Sequence, residues 1–429
     1  MRTKSRLIVC TLLAGLAFQA MPALAQLRGH GGPIRALAIS EDGGAALSGS
    51  FDTSAILWDL GRGAAEQVLR VHDGAVNAVA FLKDRRAITA GADTQIAVWT
   101  PGRAVPDSVL AGHTGPVAAL AVSTDGAMLA SGSWDRTVRL WPLGGGVPAF
   151  LTGHGQNVNG VAFLLDGSAV VSGAYDATVR IWPLPQPGSP IVVELPAPLN
   201  AVAAAPDREI AAAGADGRVY FLSATGERLG DAEVSPAPLV ALAISPNGKY
   251  VAAASVNGTV AILDREARSV LRTLAGSGMP VWSVAFLPDN RTLLTGGGNR
   301  LIRRWDTATG ETLDGRERAP DDPLAAYAGD PGAQVFRACV ACHTLAAEQE
   351  NRAGPSLHGI FGRRIASLSG FNYSEPLKHL DIVWTPETLA KLFEIGPAAY
   401  TPGTKMPEQR ISSQDDREAL VKFLERATR

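Results

Sequence analysis

Along most of the chain, short apolar runs alternate with polar turns, and the alternation keeps a steady beat. A strand-like run ending in small residues is followed by Asp or Asn, then by a second run that often closes on Trp. The turn residues are Asp52, Asp93, Asp135, Asp176, Asp216, Asn257 and Asn299, with spacings of 41, 42, 41, 40, 41 and 42 residues. A period near 41 built from short β segments predicts a propeller, one blade per copy and seven blades in all. The clearest copy reads Leu110-Ala-Gly-His113, an apolar strand from Ala118 to Val122, Ala130-Ser-Gly-Ser-Trp-Asp135 and Thr137-Val-Arg-Leu-Trp141. In its last strand Val138 and Leu140 alternate with Arg139, the period-two pattern of a sheet with one buried face.

Residues 27–316 resemble the WD-repeat family. The family's Gly-His pair stands at Gly29-His30, Gly112-His113 and Gly153-His154, with Val71-His72 a degenerate version. Its closing Trp stands at Trp58, Trp99, Trp141, Trp182 and Trp305. The resemblance implies a buried hydrogen-bonded set in each of four blades: His30/Ser48/Asp52/Trp58, His72/Thr89/Asp93/Trp99, His113/Ser131/Asp135/Trp141 and His154/Ser172/Asp176/Trp182. Each His then has a structural role in its own blade rather than a share in a metal site. Blades five to seven lack the His, and five and six the Trp, so they are expected to be held mainly by apolar packing. The outer strand of the last blade is expected either from Glu311–Gly315 or from the residues that follow an N-terminal leader. In propellers of this family the residue before the turn Asp lies on the face that binds ligands. That position reads Phe51, Ala92, Trp134, Tyr175, Ala215, Val256 and Gly298, which makes Phe51, Trp134 and Tyr175 candidate partner-binding residues.

Both ends of the sequence depart from this pattern. Arg2, Lys4 and Arg6 precede an apolar run from Leu7 to about Phe18, and Ala23-Leu24-Ala25 offers a small-residue cleavage site. That order predicts a secretory signal peptide, and its removal takes away Cys10 and leaves Cys339 and Cys342. At the other end, a Pro-, Asp-, Ala- and Gly-rich stretch from Ala319 to Gly332 reads as a linker, and Cys339-Val-Ala-Cys342-His343 follows it. In an exported protein the pattern C-x-x-C-H points to covalent attachment of haem c. Two thiols add across the haem vinyl groups, and the adjacent His is placed under the iron. A disulfide-exchange motif would want a thioredoxin-like setting, and a zinc site would want two further ligands. Met406 is the only Met after Met279 and sits in Tyr400-Thr-Pro-Gly-Thr-Lys-Met-Pro407, a Pro-bracketed loop that can reach across a haem face.

The C-terminal hundred residues resemble class I cytochromes c. The matching stretches are Cys339–Thr344, Gly354-Pro-Ser-Leu-His-Gly-Ile-Phe-Gly-Arg363, Phe371-Asn-Tyr-Ser374, Trp384 and Pro402–Met406. The resemblance implies His343 and Met406 as iron ligands, with the Pro355 carbonyl accepting the His343 ring N–H. It also implies Arg363, Tyr373 and Trp384 as partners of the buried propionate, and Phe336 with a C-terminal helix over Gln414–Arg426 as crossing terminal helices. Two features depart from the family: its lysine pair before the loop Tyr reads Ala398-Ala399, and Leu392 stands where mitochondrial members place a Tyr. Residues 321–429 carry 12 Lys+Arg against 14 Asp+Glu, so a ring of steering lysines is weak or missing.

The expected architecture is an all-β seven-bladed propeller followed by a small all-α cytochrome c domain. The expected boundaries are 1–25 signal peptide, 26–318 propeller, 319–328 linker and 329–429 monohaem cytochrome. Lys+Arg (39) does not exceed Asp+Glu (41), so no nucleic-acid partner is expected. The expected function is that of a periplasmic carrier of single electrons through one covalently bound haem c, with a redox protein partner. The propeller would serve as a docking platform, and no integral membrane segment is expected after leader cleavage. No metalloprotease motif, nucleophile elbow or phosphate loop marks the propeller, so no catalytic residue is nominated. Two other classes stay open: a redox enzyme whose propeller holds the catalytic site and whose cytochrome drains electrons, and a haem-based sensor or scaffold.

Overall fold

The recurring Asp or Asn is recurring because of what it does locally. At all seven positions its side-chain oxygen accepts the backbone N–H two residues on, at 3.0 Å from Ser54 in the first copy and 3.3 Å or less elsewhere. This self-contained turn lets the next residue take a left-handed conformation, with φ of 66° at Thr53 and 70° at Thr94 and Arg136. The backbone therefore reverses at each Asp or Asn and lays the next strand back on the last.

A computed structural model describes residues 26–184, 188–274, 279–314, 324–327, 329–336, 339, 343–346, 354–371, 373–402, 404, 406, 411 and 413–429. The segment expected as a signal peptide lies outside the described residues. A short strand β1 (Leu27–Arg28) precedes the first blade, which is β2 (Ile34–Ile39), β3 (Ala45–Ser50), β4 (Ala55–Asp59) and β5 (Ala64–Leu69). Five further blades run from β6 (Val76–Phe81) to β25 (Ser269–Leu274), each a four-stranded antiparallel sheet in sequence order. The seventh blade consists of β26 (Val281–Phe286), β27 (Thr292–Gly297), β28 (Leu301–Asp306) and β1 at its outer edge. Each innermost strand carries a register shift after its first residue, as between Ile34 and Ala36 or Val76 and Ala78.

Blades pack face on face, which accounts for the small residues that end the second strands. A Cβ at Gly49 would stand 2.7 Å from Val76 Cγ1 of the next blade, and one at Gly132 would stand 2.9 Å from Val158 Cγ1. Only glycine admits that approach, and β3 is buried along its whole length.

Closure of the ring combines both expected sources. β1 pairs with the start of β28, Leu27 opposite Ile302, while the backbone after β28 turns back so that Thr312 bridges Trp305 and Leu313 N–H donates to Arg304 O at 2.9 Å. The outer edge of the last blade is thus shared between the two ends of the propeller.

The four polar networks form as the resemblance implies. His30 Nε2 lies 2.7 Å from Ser48 Oγ and Nδ1 3.0 Å from Asp52, while Trp58 Nε1–H donates to Ser48 Oγ at 2.8 Å. Blade two has the same set through Thr89, and blades three and four through Ser131 and Ser172. The remaining blades are not held by apolar packing alone. In blade five the fully buried Tyr220 donates its hydroxyl to Asp216, and in blade six Ser235, Ser255 and Asn257 form their own cluster. Blade seven keeps Trp305 Nε1–H on Thr295 Oγ1 at 2.9 Å. Every buried polar group in such a set needs a partner, and different residues satisfy the same need.

Residues from Leu324 onward build a helical unit. A 3-10 turn (Ala325–Tyr327) leads to α1 (Pro331–Phe336), followed by α2 (Glu375–Lys378), α3 (Pro386–Ile395), α4 (Pro397–Tyr400) and α5 (Gln414–Ala427). Asp330 caps α1, accepting the Gly332 and Ala333 N–H groups, and also pairs with Arg426 near the end of α5. The two terminal helices cross at Gly332, where a Cβ would stand 2.6 Å from Phe423 Cβ. Phe336 and Tyr327 pack on the Phe423 ring at centroid distances of 5.4 and 5.1 Å. Within the segment expected to act as linker, Leu324 is buried in this helical core.

Candidate functional site

Of the Cys-containing motif, Cys339 and His343 are described. Cys339 N–H donates to Phe336 O at 2.7 Å and His343 N–H donates to Cys339 O at 3.0 Å, which sets Cys339 and His343 one turn apart on one face. Both line a single cavity in the helical unit, together with Met406 from the loop after α4. Cys342 lies outside the described residues. The cavity measures ≈1340 Å³ with its mouth included, and Leu357, Leu389, Leu392, Phe393, Leu420 and Leu424 give it apolar walls.

His343 is fixed from behind. Its Nδ1–H donates to the Pro355 carbonyl at 2.8 Å, which leaves the lone pair on Nε2. A Cβ at Gly354 would stand 2.7 Å from His343 Nδ1, so glycine is what allows the Gly354-Pro355 backbone to lie against the imidazole. Burial lowers the His343 pKa, opposed by the Pro355 carbonyl and reinforced by the Arg70 and Arg363 cations. The imidazole is therefore neutral at pH 7, the form that binds metal ions.

At one end of the cavity stand Arg363, Tyr373 and Trp384. Arg363 donates Nη1–H to His358 O at 3.0 Å and Nη2–H to Ser356 O at 2.8 Å, an anchorage that uses only part of its five donors. The Arg363 and Trp384 segments clamp each other through Trp384 N–H to Arg363 O at 3.0 Å and Gly362 N–H to Trp384 O at 2.8 Å. Tyr373 packs edge-on against Phe371 at 4.8 Å, and burial raises its pKa. Apolar walls, one imidazole, one thioether and a polar end with a guanidinium fit a flat apolar macrocycle that carries a metal and acidic side arms.

Two residues at this cavity come from the propeller: Asp52 and Arg70 line it, and the Arg70 guanidinium lies 5.0 Å over the Phe371 ring. Sequence reasoning misses both as site residues. Arg70 follows an ordinary outer strand, and nothing in its surroundings in the sequence points to the C-terminal unit. Asp52 is expected only in its blade network, which it does form.

The three aromatics expected on the propeller face are exposed, Phe51 by 44%, Trp134 by 48% and Tyr175 by 51%. Trp134 Nε1–H donates to Asn159 Oδ1 at 3.1 Å, and Phe51 meets the edge of Trp282 at 6.2 Å. Trp282 escapes the repeat pattern because it lies in an inner strand, away from the turn position.

The fold and the cavity define a β-propeller joined to a helical haem-binding unit. The WD domain, G-beta repeat model matches residues 22–59, 63–100, 105–142, 146–183, 235–264 and 268–306, so the chain belongs to that family. The structure adds the blade from β18 (Leu199–Ala204) to β21 (Arg228–Glu233), between the fourth and fifth matches. The cytochrome c family model matches residues 329–428. Over 99 residues the sequence is 41% identical to cytochrome c of Cochliobolus lunatus, covering 23% of this chain and 91% of the relative. It is 44% identical to cytochrome c-554 of Methylosinus trichosporium over 102 residues, 23% of this chain and 76% of the relative. It is 41% identical to cytochrome c-550 of Ancylobacter novellus over 97 residues, 21% of this chain and 90% of the relative. A cytochrome c domain implies a c-type haem and an electron-transfer function. Among the described residues, no helix is long and apolar enough to cross a membrane.

Proposed function

We propose that the protein is an exported, periplasmic electron carrier with one covalently attached haem c, and that its propeller is the platform on which a protein partner docks. The observation that carries the reading is the single cavity lined by Cys339, neutral His343 and Met406 and closed at one end by Arg363, Tyr373 and Trp384. When bound, the haem stores and releases one electron at its iron. Cys339 and Cys342 would hold it through thioethers, and His343 and Met406 would supply the ligands of its iron. The Pro355 carbonyl fixes the tautomer and angle of His343. Arg363, Tyr373 and Trp384 receive the propionates, with the spare Arg363 donors offsetting the cost of a buried carboxylate. Leu357, Leu392 and Leu424 would keep water from the macrocycle. Phe51, Trp134 and Tyr175 are the partner anchors on the propeller, since exposed aromatics dominate binding hot spots. With His343 and Met406 both given to the iron, the domain would pass single electrons rather than activate a substrate.

The test is a visible spectrum of the purified protein and of Met406→Ala. The wild type should show a low-spin c-type spectrum when reduced, a weak long-wavelength Met–iron band when oxidised, and no carbon monoxide adduct. Met406→Ala should lose that band and bind carbon monoxide. Ready binding of carbon monoxide by the wild type would favour the sensor reading instead.

A further inference from the structure

Arg70 occupies an unusual place for a propeller residue. It directly follows β5 in the first blade and stands two residues before His72, whose ring is tied to Asp93 and Thr89 in the second blade at 3.0 and 2.8 Å. Its backbone is thus held between two blades. Arg70 is half-buried, and its guanidinium leaves the propeller to lie over Phe371, whose ring in turn meets Tyr373 at 4.8 Å. The series Arg70, Phe371, Tyr373 leads from the propeller into the polar end of the cavity, where Arg363 supplies another cation. A guanidinium on an aromatic face keeps its charge while it loses part of its water, so its field reaches further than that of a free surface arginine.

We propose that Arg70 is a residue of the haem pocket contributed by the propeller: it is a second cation at the carboxylate-bearing end of the cofactor, and it sets the reduction potential of the domain. The inference rests on the cytochrome reading above and deepens it. The reduced haem carries one positive charge fewer than the oxidised haem, so a fixed neighbouring cation favours the reduced form. Arg70 also makes the potential sensitive to how the propeller sits. A partner that shifts the first blade against the helical unit would change the driving force for electron transfer without touching the haem.

The experiment is spectroelectrochemical titration of the full-length holoprotein and three variants. Arg70→Gln removes the charge and keeps most of the side-chain length. Arg70→Lys keeps the charge. Arg62→Gln removes an equal charge from the same blade at a side chain that is 81% exposed. Arg70→Gln is expected to lower the reduced-to-oxidised ratio at fixed solution potential by about three- to tenfold, where tenfold is 59 mV for one electron. Arg70→Lys should recover most of that loss, and Arg62→Gln should match the wild type. Unchanged melting temperatures of all three would show that the fold is intact. A wild-type potential in Arg70→Gln, an equal shift in Arg62→Gln, or no recovery in Arg70→Lys overturns the proposal. Absence of covalent haem from the denatured wild-type protein would instead overturn the cytochrome reading itself.

Discussion

Ser48→Ala removes one oxygen atom and should destabilise the propeller far more than that size implies. Ser48 is fully buried, and its hydroxyl accepts from Trp58 Nε1–H at 2.8 Å, pairs with His30 Nε2 at 2.7 Å and lies 3.4 Å from the Ile56 carbonyl oxygen. Asp52 takes the His30 Nδ1 side, which leaves Nε2 to Ser48. Alanine therefore strands one indole donor and one imidazole nitrogen at sites closed to water. Each orphan costs about 1–3 kcal/mol, and the sum of ~2–6 kcal/mol outweighs the small gain from burying a methyl in place of a hydroxyl. For a domain of this size that is a fall of roughly 5–15 °C in melting temperature, read from the propeller's transition by circular dichroism. The built-in control is Ser48→Thr, because blade two makes the same contacts through Thr89 at 2.8 and 3.0 Å. It should cost under ~1.5 kcal/mol, the added methyl being the only change. A Ser48→Ala protein that melts with the wild type, or a Thr variant as unstable as the Ala variant, would refute the argument that hydrogen-bond satisfaction holds the blade.

Three further outcomes follow from the geometry. Gly332→Val should force α1 off α5, since its Cβ meets Phe423 and the Ala419 carbonyl; a loss of about 3 kcal/mol or more should appear as early melting of the haem absorbance, and a wild-type transition would refute the crossing. Lowering pH from 7 to 5 should destabilise the propeller, because burial holds His113 and His154 below their usual pKa, and the stability they give above pH ~6.5 is lost as pH falls through the folded values. Asp135 adds a second loss below pH ~4: although burial pulls its pKa up, hydrogen bonds from Thr137, His113 and Thr114 hold it at about 2, so a propeller that melts higher at pH 3 than at pH 5 would contradict this assignment. Replacing Trp134 and Tyr175 together by Ala should leave the melting temperature in place and weaken partner binding by at least ~2 kcal/mol, measured by calorimetry; an unaltered affinity would move docking to another surface.

What the sequence determined by itself is what depends on near neighbours along the backbone. The turn Asp and Asn residues bond the N–H two residues on, so their spacing gives the blade count directly. The His, Ser or Thr, Asp and Trp sets recur at constant offsets because one blade is one hairpin stack, and those offsets survive in sequence. The Cys339-to-His343 turn is likewise local, and Gly354-Pro355 is legible beside it because the close approach to the imidazole needs that glycine. Tertiary structure decided the contacts whose partners are remote. Tyr220 on Asp216 rescues a blade that lacks both hallmark residues, and only its burial reveals the role. The last blade closes with both ends of the propeller on one strand, an arrangement that two weakly patterned segments could not announce. Arg70 reaches Phe371 because the fold brings the helical unit back to the first blade, and a long-range encounter of two ordinary surface residues leaves no period, spacing or composition by which sequence could disclose it.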